Sequence, residues 1–427
     1  MRVLTILRLL ILVLVLPVPA LAQSGPRNCS VTTQNLYVRD VLDEYYLWYR
    51  ELPRLNPANY ASPAAYLEAV RYRPLDTTFS YVTSRAANAA FYGDSQFVGL
   101  GISTQTGEND IAVLQVFPES PASEAGLNRG DRITEIDGRR VADLIASGEI
   151  GNAFGASEEG VTVRIVYRTR AGADRQATLT KRVVTIPTVS LTRTFQVDGR
   201  TVGYLFFRNF VEPSYDALNA AFAALRDAGA TDVVIDLRYN GGGLIDVAVH
   251  LGGLIGGSLT NGQVFAQYRH NDKNDALNQT LRFESKPQAL SLRRLYVITT
   301  RASASASELL VNSLRPYIPV TVIGDTTYGK PVGQYGFTFC DKVLAAVSFS
   351  LVNAEGQGDY FAGIVADCTA ADDIEHDLGT ADEASLREAL TVVRTGSCST
   401  TRTTSQRLRA AAPALKAFGW QSLINAY

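Results

Sequence analysis

Histidine and cysteine are scarce in this chain of 427 residues, which holds three of the first and four of the second. His250, His270 and His376 fall in no recognised triad pattern, and the sequence contains neither an H-E-x-x-H pair nor a G-x-S-x-G elbow. The signatures of histidine-ligated metalloproteases and of the histidine-activated serine elbow are therefore missing. No two of Cys29, Cys340, Cys368 and Cys398 stand in C-x-x-C spacing, so no zinc site is indicated and no metal is expected. An excess of either charge is lacking too: 40 Lys and Arg face 42 Asp and Glu, with no basic block, which argues against nucleic acid as a partner. The glycine run Gly241–Gly243 is not followed by G-K-[ST], so it does not read as a phosphate cradle. Long apolar runs are confined to the first residues, where Arg8 and Pro17 break "LLILVLVLPVPA" before it could span a bilayer. Tandem repeats and low-complexity linkers are absent, and 46% hydrophobic with 19% charged residues is ordinary globular composition, enough for two or three domains.

What is present at the start is a basic opening, a short greasy stretch and an A-x-A site. That combination reads as a secretory signal peptide over residues 1–22, cut after Ala22, and implies a periplasmic or secreted protein without stable membrane insertion. An even number of cysteines in an exported chain suggests disulfides. Three connectivities are open and spacing does not choose among them; Cys340 with Cys368, and Cys29 with Cys398, is the working expectation.

The remainder divides by pattern into a multidomain α/β protein. Residues 23–95 carry apolar and aromatic residues at helical spacing in "NLYVRDVLDEYYLWYRELPRL", which Pro53 stops, and again in "SPAAYLEAVRY", with Ser62 as cap and Pro63 at the first helical position. Residues 96–183 switch to short strands between glycine-rich turns. Within them "ESPASEAGLNRGDRITEIDGRRV", residues 119 to 141, resembles the PDZ pattern: a short helix of small residues leads into a G-D-x-I strand and an I-x-G turn. The resemblance makes Val98, Gly99, Leu100 and Gly101 the loop whose N–H groups would take a peptide's terminal carboxylate, the peptide adding as a strand at the sheet edge. The bland alternative is a small β domain without a ligand. Residues 184–400 alternate strand and helix, as in "DVVIDLR", "LIDVAVHLGGLI", "RLYVITT", "SASELLVNSLRP" and "VTVIG". That alternation predicts a layered α/β core with a largely parallel sheet, helices on one side, and a site at the strand ends. Residues 401–427 read as a terminal helical tail.

The chemistry concentrates in "RASASASELL", residues 301 to 310. Ser305 and Glu308 form S-x-x-E, a capping box, so on spacing alone one of these serines could simply cap a helix. A nucleophilic serine needs a base, and with histidine out of place a lysine can serve if burial keeps its amine neutral. Lys330, in "GDTTYGKPVGQYG", sits between glycines that permit close backbone approach, and Gln334 could orient its amine.

These motifs, in this order, resemble the carboxyl-terminal processing proteases, also called tail-specific proteases, which are serine–lysine endopeptidases with an inserted PDZ domain. Three separate motifs match, and the resemblance extends over nearly the whole mature chain. In that family the middle serine of S-A-S-A-S-E is the nucleophile and the lysine lies 25 residues on; Ser305 plus 25 is Lys330. The family glutamine four residues after the lysine is matched by Gln334. "IDLRYNGGG" matches the family's D-L-R-x-N-x-G-G segment, which implies an oxyanion hole from Gly241 or Gly242 together with the N–H of Ala306. The resemblance further implies a crotonase-like (ClpP-like) protease core, polypeptide substrates and no cofactor. Asp236 and Arg238 read as structural, Ser303 and Ser307 as supporting residues of which one caps the helix, and Glu308 as completing the cap or holding a neighbouring loop. Departures are Arg301 and Ala302 where many relatives carry glycine, and Pro331 after the lysine, which restricts Lys330 to extended backbone. The competing reading is a non-catalytic binding protein on the same scaffold, for an apolar ligand or as a peptide adaptor.

Overall fold

A computed structural model describes residues 25–399. The signal peptide and the helical tail expected at the two ends lie outside the described residues. Among the described residues no helix is long and apolar enough to cross a membrane.

The N-terminal unit opens as its sequence dictates. Ser30 caps the helix Val31–Tyr45, and Ser62 caps Pro63–Val70 with proline in its first turn. The first helix ends at Tyr45, short of Pro53, and gives way to a single 3-10 turn at Tyr49–Glu51. The unit is not wholly helical: Tyr81–Ser84 leaves it as a strand and pairs antiparallel with Lys342–Val352 far along the chain.

Residues 102–180 form a sheet in the order Ile102–Thr106, Ile111–Val116, Arg132–Ile136, Thr162–Arg168, Asp174–Thr180, with Ile102–Thr106 at its edge. The short helices Pro121–Glu124 and Val141–Ala146 pack with it around a core that includes Ile111, Ile133 and Ile165. The two-stranded pair Gln96–Gly99 with Arg182–Thr185 closes this unit at its base.

The core holds a six-stranded sheet in the order Val189–Val197, Arg200–Phe207, Ala230–Asp236, Leu295–Thr299, Val320–Gly324, Cys368–Thr369. From the second strand on it is parallel, as the strand–helix alternation predicts; the first strand is antiparallel. Successive residues point to opposite faces. Val233 and Ile235 pack under the helices Ser214–Asp227, Ile245–Gly256 and Ala306–Leu314, while Val234 faces Ala384–Thr395. Helices therefore cover both faces rather than one, because the buried strands are apolar on both sides. A second, antiparallel sheet joins Tyr81–Ser84, Val264–His270, Thr280–Arg282 and the hairpin Val332–Phe339/Lys342–Val352.

The disulfides correct the expected pairing: they join Cys29 to Cys340 and Cys368 to Cys398. Cys340 occupies the turn of the long hairpin, which packs on the first helix through Tyr37–Phe339 and Tyr45–Phe337 ring contacts, so the segment preceding that helix is its neighbour. Cys368 belongs instead to the edge of the other sheet, beneath the last helix, where Cys398 emerges.

Candidate active site

The strand Leu295–Thr299 runs into a tight turn before the helix Ala306–Leu314. Its three serines have separate tasks. Ser303 Oγ donates to Leu237 O at 2.7 Å, and Ser307 Oγ donates to Asn240 O at 2.9 Å. Both are buried ties to the glycine loop, so neither caps the helix. Ser305 holds the cap position itself, with φ of 56° and ψ of −114°. A non-glycine residue there costs about 1–3 kcal/mol and persists only where its surroundings enforce it. Of the three serines, Ser305 lines the adjoining cavity of about 420 Å³.

Glu308 does the enforcing. Its buried carboxylate accepts four hydrogen bonds: from Ser305 N–H at 2.8 Å, Lys330 N–H at 2.9 Å, Gly329 N–H at 2.7 Å and Thr327 Oγ1 at 2.5 Å. Burial raises its pKa, and these donors oppose the rise. It thus completes the cap and also holds the lysine loop. Gly329 allows the loop this close, since a Cβ there would lie 2.2 Å from Phe361 O.

Lys330 is 3% exposed and opens onto the same cavity as Ser305. Burial pushes its amine down to about 8, against the opposing pull of the Asp76 and Glu308 carboxylates. Nζ donates to Gln334 Oε1 at 2.6 Å, not to Ser305. Gln334 belongs to the first strand of the long hairpin rather than to a loop, and its Nε2 donates to Phe79 O and to Ala345 O. No histidine lines the cavity: His250 bonds Asn219, His270 bonds Asn278 and Tyr335, and His376 bonds Asp373.

The glycine loop differs in detail from the expected oxyanion donors. Gly242 N–H is already given to Asn240 Oδ1 at 2.9 Å, and Gly241 does not line the cavity. Gly242 matters for space: a Cβ would lie 2.8 Å from Ala304 O, Ala306 N and Ser305 Cβ. Gly243 and Ala306 do line the cavity, and their N–H groups make no hydrogen bond to other described residues. Asp236 and Arg238 lie behind the loop in a buried network, Arg238 reaching Asp236 at 2.8 Å and Glu383 at 2.7 Å.

The expected carboxylate loop splits. Val98 and Gly99 are committed to the strand paired with Arg182–Thr185. Leu100 and Gly101 follow it with N–H groups that make no hydrogen bond to other described residues, and Gly101 takes φ of 87°. The edge strand beyond them touches the core, where Ser103 Oγ accepts from Arg208 at 3.2 Å. The trio Cys368, Glu388 and Cys398 has metal-type ligand atoms in reach, but its sulfurs are joined as a disulfide and offer no thiolate.

Phe79, Asp76 and Gly243 escape sequence reasoning. The first two stand some 250 residues before Lys330, and no spacing links them.

Comparison with known proteins agrees with this architecture. The family model for Peptidase family S41 matches residues 201–370, that for the Peptidase S41 N-terminal domain matches 33–81, and that for a PDZ domain matches 98–180. A carboxy-terminal-processing protease of Bartonella bacilliformis is 28% identical over 277 residues, covering 61% of this chain and 60% of its own. A carboxyl-terminal-processing protease of Synechocystis is 28% identical over 258 residues, covering 60% and 58%. The chain thus spans about 60% of the length of these curated relatives. Among solved structures, an S41 protease from Bacteroides fragilis superposes with a TM-score of 0.66 at 25% identity, covering 84% of this chain and 96% of that one.

Proposed function

The chain belongs to peptidase family S41, and on that premise we propose that it is an exported serine endopeptidase that cuts polypeptides with a Ser305–Lys330 dyad and recognises their C-termini through its PDZ domain. The observation that carries this reading is the lysine amine, buried, held near pKa 8 and opening on the same cavity as a strained serine, with Glu308 bonded to both backbones.

In the reaction the neutral amine swings from Gln334 to Ser305 Oγ and takes its proton as Oγ bonds the scissile carbonyl carbon. The carbonyl oxygen becomes an oxyanion facing the Ala306 and Gly243 N–H groups. Collapse breaks the C–N bond, and the Lys330 ammonium gives its proton to the leaving amine. Water then repeats the attack on the acyl-enzyme, with Lys330 again as base. No metal or organic cofactor enters. The N–H groups of Leu100 and Gly101, which have no partner among the described residues, offer donors for a substrate's terminal carboxylate, beside an edge strand able to accept another strand.

The test is cleavage of an unfolded reporter protein by the mature chain, run beside Ser305→Ala and Lys330→Arg with free and amidated substrate termini. Arginine stays charged and cannot act as base. Loss of cleavage in both variants and preference for free termini are expected; undiminished turnover by either variant sinks the dyad.

A further inference from the structure

The N-terminal unit lines the cavity with Tyr81, Asn88 and Tyr92, and it reaches Lys330 and Gln334 through the turn Asp76 to Ser80. Asp76 folds it: the carboxylate accepts Ser80 N–H at 2.9 Å and the Tyr46 hydroxyl at 2.9 Å. Arg71 Nη1 donates to Ser80 O at 2.9 Å, and Ser80 Oγ accepts Val347 N–H at 3.0 Å, which pins the turn to the long hairpin. Phe79, at the apex, is 4% exposed. Its ring centroid lies 5.7 Å from Lys330 Nζ and 6.1 Å from the Tyr328 ring, while Thr78 Oγ1 meets the Tyr328 hydroxyl at 3.1 Å. Its carbonyl accepts from Gln334 Nε2.

We propose that Phe79 is a positioning residue for the Lys330 amine: its carbonyl fixes which end of the Gln334 amide meets the lysine, and its ring keeps water away from it. This rests on Lys330 being the general base. The two ends of a glutamine amide are told apart only by their partners. With Phe79 O and Ala345 O both taking Nε2, only Oε1 is left to face Lys330. The charged groups facing the amine are Asp76 from this turn and Glu308 from the nucleophile helix, and both favour the ammonium; the lining of the shared cavity adds two more carboxylates, Glu212 and Asp246, and tyrosines that include Tyr81, Tyr335 and Tyr360, but no second cation. Water exclusion is therefore what lowers the pKa of the amine against these carboxylates, and the ring that excludes water comes from a separate unit. Removing it leaves the two carboxylates in place, so protonation becomes easier.

The experiment measures the pH dependence of reductive methylation at Lys330, by mass spectrometry on the full mature chain, in Phe79→Ala, Phe79→Val and Phe79→Leu. Thermal melts identify which variants are folded. The labelling midpoint should climb as the side chain shrinks, by at least about one unit in the alanine variant, which is roughly tenfold slower labelling at pH 7. Leucine should restore most of the wild-type midpoint. The acid limb of kcat/KM should move with it while KM stays put, a change that mere loosening of the fold does not produce. A flat series among folded variants overturns the proposal, and so does a falling midpoint, which would mean the ring chiefly attracts the cation. Labelling needs no turnover: a shifted midpoint in a chain that cleaves nothing would remove the peptidase reading and leave the placement of the amine standing.

Discussion

A lysine amine at pKa about 8 is neutral in roughly a tenth of molecules at pH 7, against less than one in a thousand for an ordinary lysine. Activity should therefore rise with pH through about 8, as measured by the acid limb of kcat/KM; a limb near 10 would contradict the buried base. The same shift has a cost in stability, and its sign can be worked out. Above the unfolded pKa of about 10.4 neither state binds the proton. As pH falls to about 8, the unfolded chain takes a proton that the folded chain refuses, and stability drops. Below about 8 both are protonated and the loss stays constant, on the order of 3 kcal/mol. Lys330→Met is therefore expected to raise the unfolding free energy at pH 7 by about 1–3 kcal/mol in urea titration, with the gain fading by pH 10.5. At this scale the site was largely legible. Ser305, Lys330 and Gln334 are the residues that the family resemblance implies, and the structure brings all three to one cavity. Phe79 was not, since a contact across 250 residues leaves no local pattern.

At the scale of elements, the helix that Ser305 opens and the lysine loop act as one piece because Glu308 bonds the backbone of both. Glu308→Gln keeps the shape but leaves a single acceptor oxygen and sets an amide donor against N–H groups that need an acceptor. It is expected to lower kcat by about 10–100-fold with little change in KM, and steady-state kinetics would show an unchanged kcat if the carboxylate were only a helix cap. Gly242→Ala should be worse: the added Cβ meets backbone and Ser305 at 2.8 Å, with φ of 97° already strained for any side chain. Loss of detectable turnover, and about 2 kcal/mol or more of stability, is the expectation in assay and melt. The S-x-x-E spacing announced the cap, but not that the carboxylate also holds a loop some 20 residues on. The parallel strands were legible as apolar runs followed by helices. The hairpin that carries Gln334 was not, because its glycines and polar residues, as in "VGQYGFTF", blur a strand period that only the partner strand makes plain.

For the whole molecule, the units are bound by long-range ties that composition could count but not connect. Arg129 of the PDZ domain donates to Tyr239 and Asp372 of the core, and Arg208 of the core reaches back to Gln115 and Ser103. The N-terminal unit depends on its strand in the second sheet and on Cys29–Cys340. The expected pairing of Cys340 with Cys368 fails because the two are claimed by different sheets, which no spacing in the sequence reveals. The observed pairing makes a quantitative difference. The two bridges span sequence separations of 311 and 30. If a cross-link acts chiefly by restricting the unfolded chain, the longer loop should contribute more by 1.5RT times the logarithm of that ratio, about 2 kcal/mol. Replacing Cys29 and Cys340 with serine should then lower the unfolding free energy by about 2 kcal/mol more than replacing Cys368 and Cys398, read as urea midpoints at equal slope. Equal losses would mean that the long bridge is strained or that its N-terminal segment frays without unfolding the rest. A fall in slope for the first variant alone would identify fraying, since less surface then remains to be exposed in the main transition.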